Sequence, residues 1–365
     1  MISCRAPGKL FVAGEYAVLE PGYTAMLVAV DRFVTVAISD LADPRVTVLE
    51  SDLDGGIVLL CQRSDSALCP SGTPALIASF AYVLAAIEVF EQLLAEWRLP
   101  SRAFRLSVRS ELGEPGGRKY GLGSSAAVTV ATVAALDCFY HTGLGHEERF
   151  RIALLATLAV RPTASGADVA ASVWGGWIAY SSPDRWLITT LRAVHGIHTC
   201  LRAPWPQLSI RHLRAPESVR LLVGWTGQPA STDGLAGKSS RSRSGQHYHH
   251  FLASTESSVR SLIDAVTADE PAVIAADIRR ARTTLMEFDD ATGLGIMTPG
   301  LHALCRAAES VGAAAKSSGA GGGDCGIAVA DAADHGQIGD VQRRWEAAAI
   351  QPLPLRVYTR GRVPR

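Results

Sequence analysis

Short apolar runs dominate the first forty residues. KLFVAGEYAVL, AMLVAV and FVTVAI are interrupted by Gly8, Gly14 and Pro21-Gly22, a pattern that predicts strands joined in hairpins. Val46–Leu49 and Ile57–Cys61 continue it, with Asp54-Gly55-Gly56 as the turn. From Pro74 to Trp97 the apolar positions take helical spacing, with Pro74 suited to a first turn. Ala103–Glu111 alternates as a strand does, and a polar glycine-rich loop follows. SSAAVTVATVAALDCFY then reads as a buried helix beginning at Ser124 or Ser125, small and apolar all round. Glu147–Val160 predicts another helix, and VWGGWIAY a strand bent at its glycine pair. Between Ser181 and Leu213 the pattern weakens into short strands among Pro183, Pro204 and Pro206, which places a domain boundary there and divides the chain into 1–200 and 201–365. Beyond it come a strand (SVRLLVGWTG), a polar loop (GKSSRSRSGQHYHH), helices near Phe251–Asp269, Ala272–Phe288 and Thr298–Val311, and strands in GGDCGIAVA and PLRVYT. That order fits an α+β sandwich.

Composition narrows the function classes. The chain has 365 residues, 48% of them hydrophobic, enough for a large core in roughly two domains. Lys+Arg and Asp+Glu are 35 each, which argues against a generally polybasic nucleic-acid or membrane-surface binder. The longest uncharged stretches, Ser66–Ile87 and Tyr120–Leu136, open with polar or small residues and fall short of the ~20 apolar residues a spanning helix needs. Seven cysteines without a CxxC pair fit reduced thiols in the cytoplasm. The 35 basic residues comprise 31 arginines and only four lysines, Lys9, Lys119, Lys238 and Lys316. A lysine kept in such a chain marks a place where a compact ammonium fits and a planar guanidinium does not, or has merely escaped drift. Three of the four lie in or beside glycine-rich segments.

Those segments carry the chemistry. In GLGSSAAV, Gly121–Val128, two glycines let backbone approach a ligand, and two serines follow at a helix N-terminus, where the dipole favours an anion. A serine N-cap on a tightly packed helix is the plainer alternative. The segment lacks GK[ST], and although it matches GxGxxA, the polar GEPGGRKY before it is not the buried strand of a dinucleotide site. KSSGAGGGDCG, Lys316–Gly326, holds five glycines in eight positions and can form a nest for a phosphate; a flexible linker fits less well between its apolar flanks. APGKLFVAGEYAVL, Ala6–Leu19, puts Lys9 at the start of the first strand, where a solvated lysine is also common.

In this order, PGK…GEY, GLGSSA and KSSGAGGGDCG resemble the motifs of the GHMP kinase superfamily, which includes galactokinases, homoserine kinases, mevalonate kinases and phosphomevalonate kinases. At finer grain the chain is similar to the phosphomevalonate kinases. Tyr16 stands where mevalonate kinases typically show His, Asp324 interrupts what is typically GGGGC, and Gly224–Thr232 (GWTGQPAST) resembles a characteristic segment. The resemblance implies a GHMP kinase fold: an N-terminal ribosomal-protein-S5-like domain (1–200) that binds nucleotide, and a C-terminal ferredoxin-like α/β sandwich (201–365). It implies ATP and Mg²⁺ as cofactors and phosphorylation of 5-phosphomevalonate to 5-diphosphomevalonate in isoprenoid precursor synthesis, by a cytoplasmic monomer or homodimer. No nucleic acid or membrane is expected as a partner. A mevalonate kinase or another small-molecule kinase of this scaffold is the alternative. A diphosphomevalonate decarboxylase fits less well with the GEY and WTGQPAST segments.

The resemblance also assigns residues. Lys9 and Asp168, the latter in Ser165-Gly166-Ala167-Asp168, are expected to be catalytic. Lys119, Gly121, Leu122, Gly123, Ser124, Ser125 and Ala126 are expected on the nucleotide, with the Ser125 hydroxyl on Mg²⁺. Lys9, Glu15, Tyr16, Arg161, Ser165, Gly166, Ser231, Gly321, Gly322 and Asp324 are expected around the acceptor. An acceptor phosphate is already anionic, so Asp168 has less need to act as a base and can instead orient Lys9 or a metal. Two departures stand out. ALLATLAV lacks the carboxylate that mevalonate kinases carry on the matching helix, and Arg161-Pro162-Thr163-Ala164 is poor in glycine. The histidines of His247-Tyr248-His249-His250 have no metal-ligand spacing and read as solvated residues beside a helix start.

Overall fold

The first strand pairs with the second along nearly its whole length. In the computed structural model, which describes residues 1–52, 55–64, 67–114, 117–228 and 245–359, β1 (Ile2–Ala13) is antiparallel to β2 (Thr24–Asp40). The runs AMLVAV and FVTVAI are therefore one strand, not two. Register shifts at Pro7/Gly8 and Phe11/Ala13 bend β1 where it passes the site. Around this pair are β3 (Val46–Ser51), β4 (Ile57–Ser64), β5 (Ala67–Ser71), β6 (Phe104–Ser110), β7 (Trp177–Ser181) and β8 (Ser209–Leu213), in the order β5-β4-β3-β6-β2-β7-β8 with β1 beside β2. Among the described strands only β3 and β6 run parallel. Strand β5 was not expected; Pro70 is tolerated in it because it forms the sheet edge.

The helix expected over Pro74–Trp97 is two helices, α1 (Pro74–Ser79) and α2 (Ala81–Glu96), which meet at Phe80 with φ −103°. No residue of α1 is buried, whereas α2 buries Val83, Ile87, Phe90 and Leu94, so the chain turns where its apolar face changes direction. Helices α3 (Ser124–Tyr140), α4 (His146–Val160) and α5 (Ala167–Trp174) complete the main core with α2. Val173 and Trp174 end α5 and do not begin a strand; Gly175 and Gly176, both at positive φ, turn the chain into β7.

The stretch expected to hold short strands is mainly α6 (Arg185–Arg202), with only β8 extended. Its helical pattern is hidden by β-branched residues and by a break at Gly196, φ 79°. There Glu96, at the end of α2, accepts from the N–H groups of Ile197 and His198, each at 2.7 Å, and so caps the second half of α6. Strand β8 pairs with β7, so the large sheet continues past residue 200.

The second sheet has the order β10-β11-β9-β12 and is antiparallel throughout: β9 (Val219–Trp225), β10 (Ala314–Ser317), β11 (Cys325–Asp331) and β12 (Gln351–Leu353). Long helices α7 (Gln246–Ala268) and α8 (Pro271–Thr292) pack on each other, and α9 (Pro299–Glu309) and α10 (His335–Ala347) close a second core around Leu304, Val341 and Trp345. Most of the polar GKSSRSRSG segment lies outside the described residues; His247, His249 and His250 sit on the first turn of α7. The tail returns to the first sheet, where Tyr358 N–H donates to Ala29 O. Among the described residues no helix is long and apolar enough to cross a membrane.

Candidate active site

Lys9 is held by its own strand and by the loop it faces. Its N–H donates to Leu122 O at 2.9 Å, an approach that needs Gly8, since a Cβ there would lie 2.8 Å from Leu112 Cδ2 and 3.0 Å from Leu122 O. Its side chain is buried and ends with Nζ 3.5 Å from Asp168 Oδ2. Asp168 occupies the first turn of α5, which starts from Gly166 at φ 84°. A Cβ on Gly166 would come within 2.7 Å of the Tyr180 hydroxyl, which donates to Ser165 O at 2.6 Å. Burial pushes the Tyr180 phenol up, so it remains a donor. The Ser172 hydroxyl of α5 donates to Pro7 O at 2.9 Å, tying the Asp168 helix to the Lys9 strand. The ion pair is thus set by two backbone segments far apart in the chain.

Beside the pair stands the N-terminus of α3. Gly123, φ 79°, holds the cap position and offers no side-chain cap, so neither Ser124 nor Ser125 is an N-cap residue. At such a helix start the dipole and the leading N–H groups both favour an anion. Gly123 also presses on the lysine: a Cβ would sit 2.8 Å from Lys9 Cε. Gly121, φ 80°, packs as tightly on Asp324, whose Cγ would be 2.5 Å from an added Cβ. Asp324 itself takes φ 54°, with its carbonyl accepting from Thr226 N–H at 2.9 Å and Thr226 Oγ1 at 3.0 Å.

The third segment splits in two. Lys316 and Ser317 belong to β10, and only the residues after them form the loop. Lys316 is fully buried and paired with Glu15, which is 3% exposed. The Ser318 hydroxyl and the backbone of Phe11 are bonded in both directions, each at 2.9 Å. Gly322 N–H donates to Ile296 O at 2.8 Å, and Gly321, φ 71°, lies so close to Ile296 that a Cβ would be 2.4 Å from its carbonyl oxygen.

These segments enclose a cleft of about 770 Å³. Lys9, Glu15, Tyr16, Lys119, Gly121, Gly123, Ser124, Ser125, Ala126, Arg161, Ser165, Gly166, Asp168 and Asp324 all line it. Leu122 is buried behind it and contributes its carbonyl, while Gly321 and Gly322 shape the loop from the rear. Ser231 lies outside the described residues. Sequence reasoning missed Phe11, Tyr82, Thr157 and Ser318, which also line the cleft. Thr157 had a signal, being the one polar residue in ALLATLAV; Tyr82 had none, because it sits in an apolar helical run. Among the described residues no three His, Cys, Asp or Glu side chains gather as a metal cage.

Comparison with known proteins gives a consistent result. Residues 81–176 match the family described as GHMP kinases N terminal domain, and residues 270–351 that described as GHMP kinases C terminal. The phosphomevalonate kinase of Streptomyces sp. strain CL190 is 49% identical over 359 residues, 96% of either chain. A mevalonate kinase of Pyrococcus abyssi is 27% identical over 99% of this chain and 97% of its own. The structure of Streptococcus pneumoniae phosphomevalonate kinase in complex with phosphomevalonate and AMPPNP superposes with a TM-score of 0.84 at 27% identity, covering 98% of this chain and 100% of that one.

Proposed function

The chain belongs to the phosphomevalonate kinases within the GHMP kinase family, and we propose that its cleft transfers the γ-phosphoryl group of ATP to the phosphate of 5-phosphomevalonate, giving ADP and 5-diphosphomevalonate. The observation that carries this reading is the Lys9–Asp168 pair standing beside an α3 N-terminus whose cap residue is Gly123. A helix start capped by glycine takes the triphosphate, and a compact buried cation stands where charge develops on the group in transfer. Phosphoryl transfer of this kind depends mainly on positioning and on charge neutralisation.

In this reading Gly121–Ala126 and Lys119 hold the nucleotide, and Arg161, Ser165 and Gly166 meet the acceptor beside Lys9 and Asp168. Asp168 keeps the Lys9 ammonium aimed, and an anionic acceptor oxygen needs no proton removed. The donor set fits Mg²⁺ carried in with the nucleotide: the Ser125 hydroxyl, which lines the cleft, would help to hold it, since this ion takes few protein ligands beside phosphate oxygens and water. When bound, Mg²⁺ neutralises phosphate charge. Seven free cysteines suit a reducing compartment and support a cytoplasmic setting for the reaction.

The test is ADP release measured with ATP and each of 5-phosphomevalonate, mevalonate, homoserine and galactose. Turnover is expected with 5-phosphomevalonate well above the other three. Preference for mevalonate would overturn the acceptor assignment.

A further inference from the structure

Tyr16 adopts φ 61° and ψ −48°, a backbone conformation that costs a residue other than glycine free energy and persists only where surrounding contacts hold it. Its ring packs against Phe288, and the polar ends of Glu15 and Tyr16 reach one loop. From the Gly14-Glu15-Tyr16 turn, the buried Glu15 carboxylate pairs with Lys316 and accepts from Gly319 N–H at 3.4 Å. The Tyr16 hydroxyl donates to Ala320 O at 2.5 Å. Lys316 Nζ also donates to Ser317 O at 2.6 Å, and Ser318 is bonded to Phe11 as described. Residues 316 to 320 are thus held by the first strand and the turn after it, and Ser318, Gly319 and Ala320 form one wall of the cleft.

We propose that Glu15, Tyr16 and Lys316 are positioning residues, which clamp the Gly319–Ala320 backbone to the Lys9-bearing segment and thereby set the width of the cleft for phosphoryl transfer. The inference rests on the kinase reading of that cleft. It places these side chains in contact with the loop, and their effect on the reacting groups passes through it. It also accounts for the second kept lysine: the pocket is closed on all sides, and a carboxylate and a carbonyl converge on a single point charge.

A buried ion pair offers a discriminating test, because breaking it by removing one partner is strongly destabilising, whereas replacing both partners together is often tolerated. Glu15→Gln, the Glu15→Gln/Lys316→Met double variant and Tyr16→Phe are compared with the parent, by thermal unfolding and by steady-state kinetics with ATP and 5-phosphomevalonate. Glu15→Gln alone is expected to melt well below the parent. The double variant should melt close to the parent yet lose about tenfold or more in kcat, since the loop has lost its anchor and small displacements are costly to reaction geometry. KM for ATP should change little. Tyr16→Phe, which leaves no charge unpaired, should fold and lose several-fold in kcat. Parental kcat in the folded double variant and in Tyr16→Phe would show the pair to be structural only and overturn the proposal. Should the double variant not fold, Tyr16→Phe decides alone by the same criterion. A parent that does not turn over 5-phosphomevalonate overturns the kinase reading instead, and this inference with it.

Discussion

Gly123→Ala separates the cost of a backbone conformation from the cost of moving Lys9. Gly123 sits at φ +79°, and an added Cβ would be 2.8 Å from Lys9 Cε, 3.1 Å from Lys9 Cγ and 3.5 Å from Asp168 Oδ2. The left-handed backbone costs an L-residue roughly 1–2 kcal/mol. For a domain of this size that corresponds to about 2–4 °C in Tm for each kcal/mol. Carbon atoms in contact prefer about 3.5–4.0 Å, so the lysine stem must retreat by about 1 Å. A displacement of that order can cost about 100-fold in rate. Gly143 supplies the control: it is also left-handed, φ +71°, but nothing lies within 4 Å of an added Cβ. Gly143→Ala should lower Tm by a similar amount and leave kcat at the parental value. Gly123→Ala should lower Tm comparably and reduce kcat by about two orders of magnitude. Thermal unfolding and initial rates at saturating ATP and 5-phosphomevalonate decide the matter. If kcat of Gly123→Ala stayed close to that of Gly143→Ala, the contact between Gly123 and Lys9 would have no part in catalysis.

Three further outcomes follow from the same geometry. Lys9→Arg should be nearly as inactive as Lys9→Ala, because the stem is buried against Gly123 and the Phe11 ring and a larger planar head cannot take the point-charge position 3.5 Å from Asp168 Oδ2; near-parental turnover would refute this. Asp168→Asn keeps the shape but frees Lys9 from its partner at 3.5 Å, so kcat should fall strongly with KM for ATP little changed, and a main effect on ATP binding would move Asp168 away from the acceptor. Ser125→Ala should raise the Mg²⁺ concentration needed for half-maximal rate without changing Tm, since Gly123 and not Ser125 caps the helix; a lowered Tm with an unchanged Mg²⁺ curve would return the hydroxyl to a purely structural role.

Much of the site was legible in the sequence because its requirements are local. A chain that must enter αL, or pass within van der Waals distance of another backbone, needs glycine, and Gly121, Gly123 and Gly166 each do one or both. The uniform small apolar run after Ser124 could only be a buried helix, and a helix start beside glycines is an anion site by its own dipole. The retention of Lys in an arginine-rich chain pointed to Lys9, Lys119 and Lys316; Lys9 and Lys316 are buried and paired with a carboxylate, whereas Lys119 is exposed on the cleft lining. Local signals failed where packing overrode propensity. The β-branched residues of α6 read as strand until Asp184 capped the helix start and Glu96 capped the break at Gly196. The GEY segment pointed to Glu15 and Tyr16 without showing that their side chains turn to the loop at Gly319–Ala320.

What no stretch of sequence contains is the partner of a charge. Lys9 meets Asp168 because β1 and α5 are joined through Ser172 and Pro7, and Glu15 meets Lys316 because β10 of the second sheet is brought against the end of β1. Residue types, glycine positions and helix starts follow from short-range sterics and hydrogen bonding. Which carboxylate faces which ammonium follows only from how distant elements pack, because that contact exists only once both cores have formed.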